Sequence, residues 1–229
     1  MTEEYTIKPI AHIRNDLITK FGVPRQSGLA NSLISEIVFT PEYRVSDALR
    51  GIEEFSHIWL IWSFSEARRD EWSPTVRPPR LGGNERIGVF ATRSPYRPNS
   101  LALSCVKLLK VEHHGELGDT LIVSGADLMN GTPIYDIKPY LPYADSILDA
   151  VGGFARDSGK TLEVIDENGV LSCMNAEKRQ ALLEILARDP RPQYHNDPTR
   201  IYGMAYGNYE VKFRVDGERL YIISVIDAK

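Results

Sequence analysis

Residues 101–137 read LALSCVKLLKVEHHGELGDTLIVSGADLMNGTPIYDI, and this run decides the fold. It holds candidate strands at 101–113, 120–127 and 133–137, rich in β-branched residues and parted by Gly, Asn and Asp. Asn130-Gly131 is a strong turn signal, and Thr132-Pro133 sends the chain back into an extended run. Upstream, residues 5–13, 33–39, 57–64 and 86–92 have the same character. One short helix is expected at about 46–50, with Ser46 as N-cap and Gly51 as its stop. Many short strands without intervening helices predict a mainly β fold, a small closed β-barrel rather than a parallel sheet.

After Asp149 the character changes. The stretch VGGFARDSGK is a Gly-rich polar linker, which separates a first domain over 1–150 from a second over 160–229. A helix is expected over 176–188, capped by Asn175 and stopped by Pro190, with Leu182, Ile185 and Leu186 on one face. Strands at 200–206, 209–215 and 219–226 follow, parted by the hairpin turns Gly207-Asn208 and Asp216-Gly217. The second domain therefore reads as a small α+β unit, one helix on a three-stranded meander. The linker makes it separable, so a chain ending near Asp149 is expected to keep its fold and its ligand.

The chain has 229 residues, 42% hydrophobic and 25% charged, the composition of an ordinary globular protein. No apolar run approaches a membrane span, and MTEEYTIKPI lacks the basic and apolar regions of a signal peptide. A cytoplasmic location is the expectation. Cys105 and Cys173 lie far apart, and the five histidines show no zinc spacing, so no metal is expected. The formal net charge of −4 speaks against a generic nucleic-acid binder. An RNA-directed role requires a segregated cationic face.

Residues 74–100, PTVRPPRLGGNERIGVFATRSPYRPNS, offer such a face: five arginines (Arg77, Arg80, Arg86, Arg93, Arg97) against one acid, Glu85. Arginine presents a planar fork to phosphate and carboxylate. Prolines reduce the ordering cost of binding in advance. A basic loop can equally be a solvated one. There is no G-x-G-x-x-G after a strand, no Walker A sequence, no G-x-S-x-G elbow and no zinc-deaminase signature. From the residues alone, the chain is a β-rich binder of an anionic ligand.

The segments VPRQSG (23–28), GIEEFSHIWLIWSF (51–64), PTVRPPRLGGNERIGVFATRSPYRPN (74–99), NGTPIYDIKPYLPYAD (130–145) and DPRPQY (189–194) together resemble the TsaA-like tRNA methyltransferases, the TrmO family. The family usually has Asp where this chain has Asn130. A role there that needs negative charge is in doubt, whereas a turn or hydrogen-bond role survives. The resemblance implies a barrel that binds S-adenosyl-L-methionine without a Rossmann fold or a metal. It implies methylation of N6 of threonylcarbamoyladenosine beside the anticodon of tRNA, and a homodimer.

Read against that chemistry, Pro24, Arg25 and Gln26 offer a stiff turn with a cation and an amide, and Arg93 sits where a strand ends. Asn130, Gly131, Thr132 and Pro133 offer a turn to adenine or ribose. Ser65, Glu66 and Leu103 complete the expected cofactor set. For catalysis, Asp136 could accept or steer the N6 proton, Lys138 stabilise the carbonyl oxygen and Tyr140 stack on the base. The alternative for Asp136 and Lys138 is an exposed ion pair. Contacts to tRNA are expected from Arg77, Arg80, Arg97, Arg191, Tyr194 and Arg200, with His195 on the same proline-stiffened loop. The same pocket serving another methyl acceptor, or a non-catalytic RNA- or cofactor-binding protein, are the rival readings.

Overall fold

A computed structural model describes residues 4–66, 71–156, 159–192, 195 and 197–228. In chain order the strands are β1 (Ala11–Arg14), β2 (Ile34–Phe39), β3 (His57–Ser63), β4 (Thr75–Val76), β5 (Ile87–Gly88), β6 (Leu101–His114), β7 (Gly118–Ser124), β8 (Pro133–Pro139), β9 (Glu163–Ile165), β10 (Tyr202–Tyr206), β11 (Tyr209–Asp216) and β12 (Arg219–Asp227). The helices are α1 (Pro142–Asp145) and α2 (Ala176–Ala187).

Six strands close into a ring in the order β1-β2-β7-β6-β3-β8, every neighbour antiparallel, and β8 returns to β1. The alternation of HIWLIWS in β3 explains its packing: Ile58, Leu60 and Trp62 turn inward and are buried. They meet Ile13, Ile37, Val106, Leu121, Val123 and Ile134 in one core. The opposite side of the pleat carries His57, Trp59 and Ile61, in register with Lys107, Cys105 and Leu103. Cys105 thus sits half-buried on the outer face, not in the core as its apolar neighbours suggest.

The second unit differs from its expected meander by one strand. Glu163–Ile165 adds as β9 parallel to β12, giving a four-stranded sheet in the order β10-β11-β12-β9. Three residues with flanking Asp and Gly carry too short a pattern to announce a strand. Helix α2 starts as expected, with the Asn175 side chain accepting from Lys178 N at 2.8 Å. The expected helix at 46–50 is a single 3-10 turn, Ser46–Leu49, preceded by Val45 as its cap. The expected strand at 86–92 is only Ile87–Gly88, followed by the 3-10 turn Val89–Ala91.

Residues 15–33 form an irregular strap between β1 and β2. Although early in sequence, its Leu17, Ala30 and Leu33 are buried with Leu182, Leu186, Met204 and Phe213 in the second core. Phe21 stacks on Phe213 with ring centroids 6.3 Å apart. A side chain at Gly22 would clash with Met204 Sδ, and its φ of +101° is one that L side chains rarely adopt. Removing residues beyond Asp149 would expose these strap residues, which opposes the expectation of a cleanly separable second domain. Leu17→Ala should therefore cost about 2–5 kcal/mol of unfolding free energy, as Leu182→Ala should. Urea denaturation followed by far-ultraviolet circular dichroism measures it; a loss below about 0.5 kcal/mol, the scale of a surface substitution, would take the strap out of the core.

Candidate active site

The outer face of the ring is apolar where β3 ends and β6 begins. Ile61 pairs with Leu103, and Leu101 and Leu103 are exposed. These side chains, with Phe64 and Met129, line one part of a cavity of about 640 Å³. Lys20, Val23, Pro24, Arg25 and Gln26 of the strap line another part, and Thr92, Arg93, Arg97 and Asn99 a third. The size is that of a small-molecule site.

Three of the expected cofactor residues meet directly. Arg93 donates to the Gln26 side-chain oxygen, across 67 positions of sequence, and the Gln26 amide nitrogen donates to the Arg25 carbonyl. Arg25 also reaches the carbonyl of Arg191 at 3.5 Å. Withdrawal from water lowers the Arg25 pKa, Asp189 opposes this and Arg80 adds to it. Arg25 therefore stands where the strap, the arginine segment and the loop after α2 converge.

Ser65, Glu66, Leu103 and Thr132 also line the cavity. Asn130, Gly131 and Pro133 do not; they build the turn that presents Thr132. The Asn130 side-chain oxygen accepts from Asn15 N at 3.1 Å, and Gly131 donates to Ile13 O at 2.8 Å with φ +80°. An aspartate would accept the same bond from Asn15, so the hydrogen-bond role survives the Asn130 replacement. Asp136, Lys138 and Tyr140 lie outside the lining. Asp136 is opposite Ile61 and Lys138 opposite Trp59, on the outer face of β8 that continues from the cavity. Lys138 and Asp136 form an ion pair at 2.9 Å, 62% and 44% exposed, and Tyr140 packs against His57 and Trp59.

The arginines expected on tRNA divide. Arg77 and Arg200 are exposed, the latter lying over the Tyr202 ring at 5.3 Å. Arg80 stands beside Arg25. Arg97 lines the cavity and braces its turn, donating to Thr92 O at 3.1 Å and Ser94 O at 3.4 Å. Arg191 is withdrawn from the surface: its side chain is 11% exposed and its Nε donates to both Asp189 oxygens at 2.9 and 3.1 Å. It is a loop brace rather than an open cation. Tyr194 lies outside the described residues.

Asp127 was missed by sequence reasoning. Its Oδ1 accepts from Ser104 Oγ at 2.5 Å, and Ser104 in turn accepts from Trp62 Nε1 at 2.9 Å. Burial pushes the carboxyl pKa up; the Ser104 bond and the nearby Arg93 pull the other way without cancelling it. The sequence signal was only its place between the apolar residues Ala126 and Leu128, which the structure buries. Among the described residues, no cluster of three His, Cys, Asp or Glu is placed to hold a metal ion.

A carboxyl whose folded pKa lies above its unfolded value costs stability as pH rises from the unfolded value through the folded one. Asp127→Asn keeps an acceptor for Ser104 and removes that cost. The substitution should raise the ligand-free melting temperature near neutral pH, by about 2–4 °C per kcal/mol, and have no such effect below about pH 4. A lowered melting temperature at neutral pH, in thermal scans across this range, would show that the carboxylate is stabilised in its charged form.

Known proteins share this architecture and sequence. The tRNA-methyltransferase O N-terminal domain model matches residues 12–146, and the TrmO C-terminal domain model matches residues 166–228. The Escherichia coli K12 protein named tRNA (adenine(37)-N6)-methyltransferase is 39% identical over 220 residues, covering 92% of this chain and 93% of that protein. A Pseudomonas aeruginosa protein named putative S-adenosylmethionine-dependent methyltransferase RcsF is 38% identical over 231 residues, covering 97% of each. A crystal structure of TrmO from Pseudomonas aeruginosa superposes with a TM-score of 0.81 at 30% identity, covering 99% of both chains. With both family models matched along one chain, this protein belongs to the tRNA-methyltransferase O family.

Proposed function

We propose that the protein is an S-adenosylmethionine-dependent tRNA methyltransferase acting on N6 of adenosine 37, in the form that carries a threonylcarbamoyl group. The observation that carries this reading is the convergence of Arg25, Gln26, Arg93 and Asp127 on one apolar-lined cavity in a chain of this family. The donor set fits the cofactor. Arg25 and Arg93 suit its carboxylate, the Asp127 carboxyl suits its ammonium or ribose hydroxyls, and Ile61, Phe64 and Leu103 suit adenine. In this reading the ring is the non-Rossmann barrel that binds cofactor.

When bound, S-adenosylmethionine supplies an electrophilic methyl group on its sulfonium. The chain's own residues orient and desolvate the reactants, and orientation can be worth roughly 7–11 kcal/mol in such a displacement. The target base approaches along the outer face of β3 and β8. Asp136 would receive the N6 proton, Lys138 would steady the carbamoyl oxygen and Tyr140 would stack on the base. The register that puts Asp136 beside the cavity-lining Ile61 supports this division. Arg77 and Arg200 meet tRNA phosphates, and residues 160–229 serve as the tRNA-contacting domain beside the cofactor domain of residues 1–150. The exposed apolar side chains of Tyr143, Ile147, Leu148 and Val151 support a homodimer. The work is done in the cytoplasm; among the described residues no helix is long and apolar enough to cross a membrane.

Labelled cofactor offered with tRNA carrying or lacking threonylcarbamoyladenosine should give label only in the first. Label in both would mean another acceptor, and cofactor binding without transfer would mean a non-catalytic binder. Saturation at 100 times the dissociation constant should add about 2.7 kcal/mol of stability in a thermal-shift titration run with chelator. Arg93→Ala should weaken cofactor more than Arg77→Ala does. Arg77→Ala should instead lower the slope of log tRNA affinity against log salt by about one unit. Equal effects of both substitutions on both ligands would contradict the division.

A further inference from the structure

The strap presents two faces within a few residues. Lys20, Val23 and Pro24 line the cavity, while Phe21 and Gly22, between them, press on Phe213 and Met204 of the second sheet. Helix α2 holds the same strap by polar contacts. Glu184 accepts from Ser32 N at 2.8 Å and from Ser32 Oγ at 2.6 Å. Lys178 reaches Asp16 at 2.8 Å, and Arg188 Nε donates to Leu29 O at 3.3 Å. Burial works to raise the Glu184 pKa, yet the bonds from Ser32, Gln180 and Asn31 outweigh it and hold it below the ordinary value.

We propose that the second unit is a positioning element of the cofactor cavity: Glu184, through Ser32, and Met204 and Phe213, behind Phe21 and Gly22, hold the strap that carries Arg25 and Gln26. None of these four second-unit and strap anchors, Glu184, Ser32, Met204 and Phe213, lines the cavity. They act on cofactor through the strap. A loop without ladder hydrogen bonds of its own must be fixed from outside if its side chains are to be preorganised, and a loosened wall raises the ordering cost of binding. The same contacts make cofactor affinity respond to anything that shifts the second unit, because any coupling between two sites is reciprocal. Cofactor and a ligand of the second unit would thus change each other's affinity by the same factor.

The inference rests on reading this cavity as the S-adenosylmethionine site. Its test uses the full chain with Ser32→Ala, Glu184→Gln and the double variant. Dissociation constants for S-adenosylmethionine come from calorimetry, and kcat and KM come from methylation of tRNA. Each single variant should weaken cofactor binding by about tenfold and raise its KM, with kcat at saturating cofactor unchanged, and the double variant should be no worse than the weaker single one. A purely structural role would lower the melting temperature of all three and leave the cofactor KM within twofold of wild type, and that result overturns the proposal. If Glu184→Gln fails to fold, Ser32→Ala, which removes one hydroxyl, decides by the same criterion. Wild-type protein that binds no cofactor would reject the reading of the site itself, whereas wild type and variants binding equally well would reject only the coupling.

Discussion

Gly28 donates to Gly125 O at 2.8 Å while Ser32 closes on Glu184, so the strap is pinned to the ring on one side and to α2 on the other. Leu33 O takes the amide of Gly125 at 3.0 Å, Leu17 O takes that of Asn130 at 2.8 Å, and the Asn15 side chain donates to Leu128 O at 2.9 Å. These bonds give an irregular segment the partners that a strand would find in its neighbour. Because the strap is fixed, Arg25 and Gln26 stay at the cavity wall, where Gln26 accepts from Arg93. Because the turn at Asn130 is tied to Asn15 and Ile13, Thr132 and Asp127 stay beside them. The site is thus assembled by two cores at once.

The charges of the cavity follow from this arrangement. Arg25, Arg93 and Arg97 give it a cationic side in a chain whose formal net charge is −4. Asp127 offers a carboxyl withdrawn from water, tied to Ser104 and through it to Trp62 inside the ring. A zwitterionic ligand with an apolar portion would find complementary groups here. The outer face of β8, with its Asp136–Lys138 pair, continues the surface on which Ile61 and Trp59 stand.

Most of the ring was legible because its strands are long and their patterns local. HIWLIWS alternates cleanly, and Asn130-Gly131 marks its turn without ambiguity. The strand β9 was not legible: it owes its existence to β12, far along the chain, and not to three residues of its own. The strap was hidden for a similar reason. Phe21, Gly22 and Leu17 have no periodicity, and their partners Phe213, Met204 and Leu182 are more than half the chain away. Arg93 and Gln26 could be named from motifs, but their contact could not. Arg191 shows the reverse failure, since a basic residue in a proline-rich loop reads as an open cation and is spent on Asp189. Asp127 was passed over because a single acid closing the expected strand 120–127 belongs to no motif; its burial and its bond to Ser104 are properties of the fold.

The most direct measurement is a crystal structure of the protein with S-adenosylhomocysteine. The account predicts the ligand in the cavity between residues 20–26 and Leu103, its carboxylate within hydrogen-bond reach of Arg25 or Arg93 and the strap still closed on Glu184. A ligand bound elsewhere on the ring, or bound in the cavity without touching the strap, would contradict it.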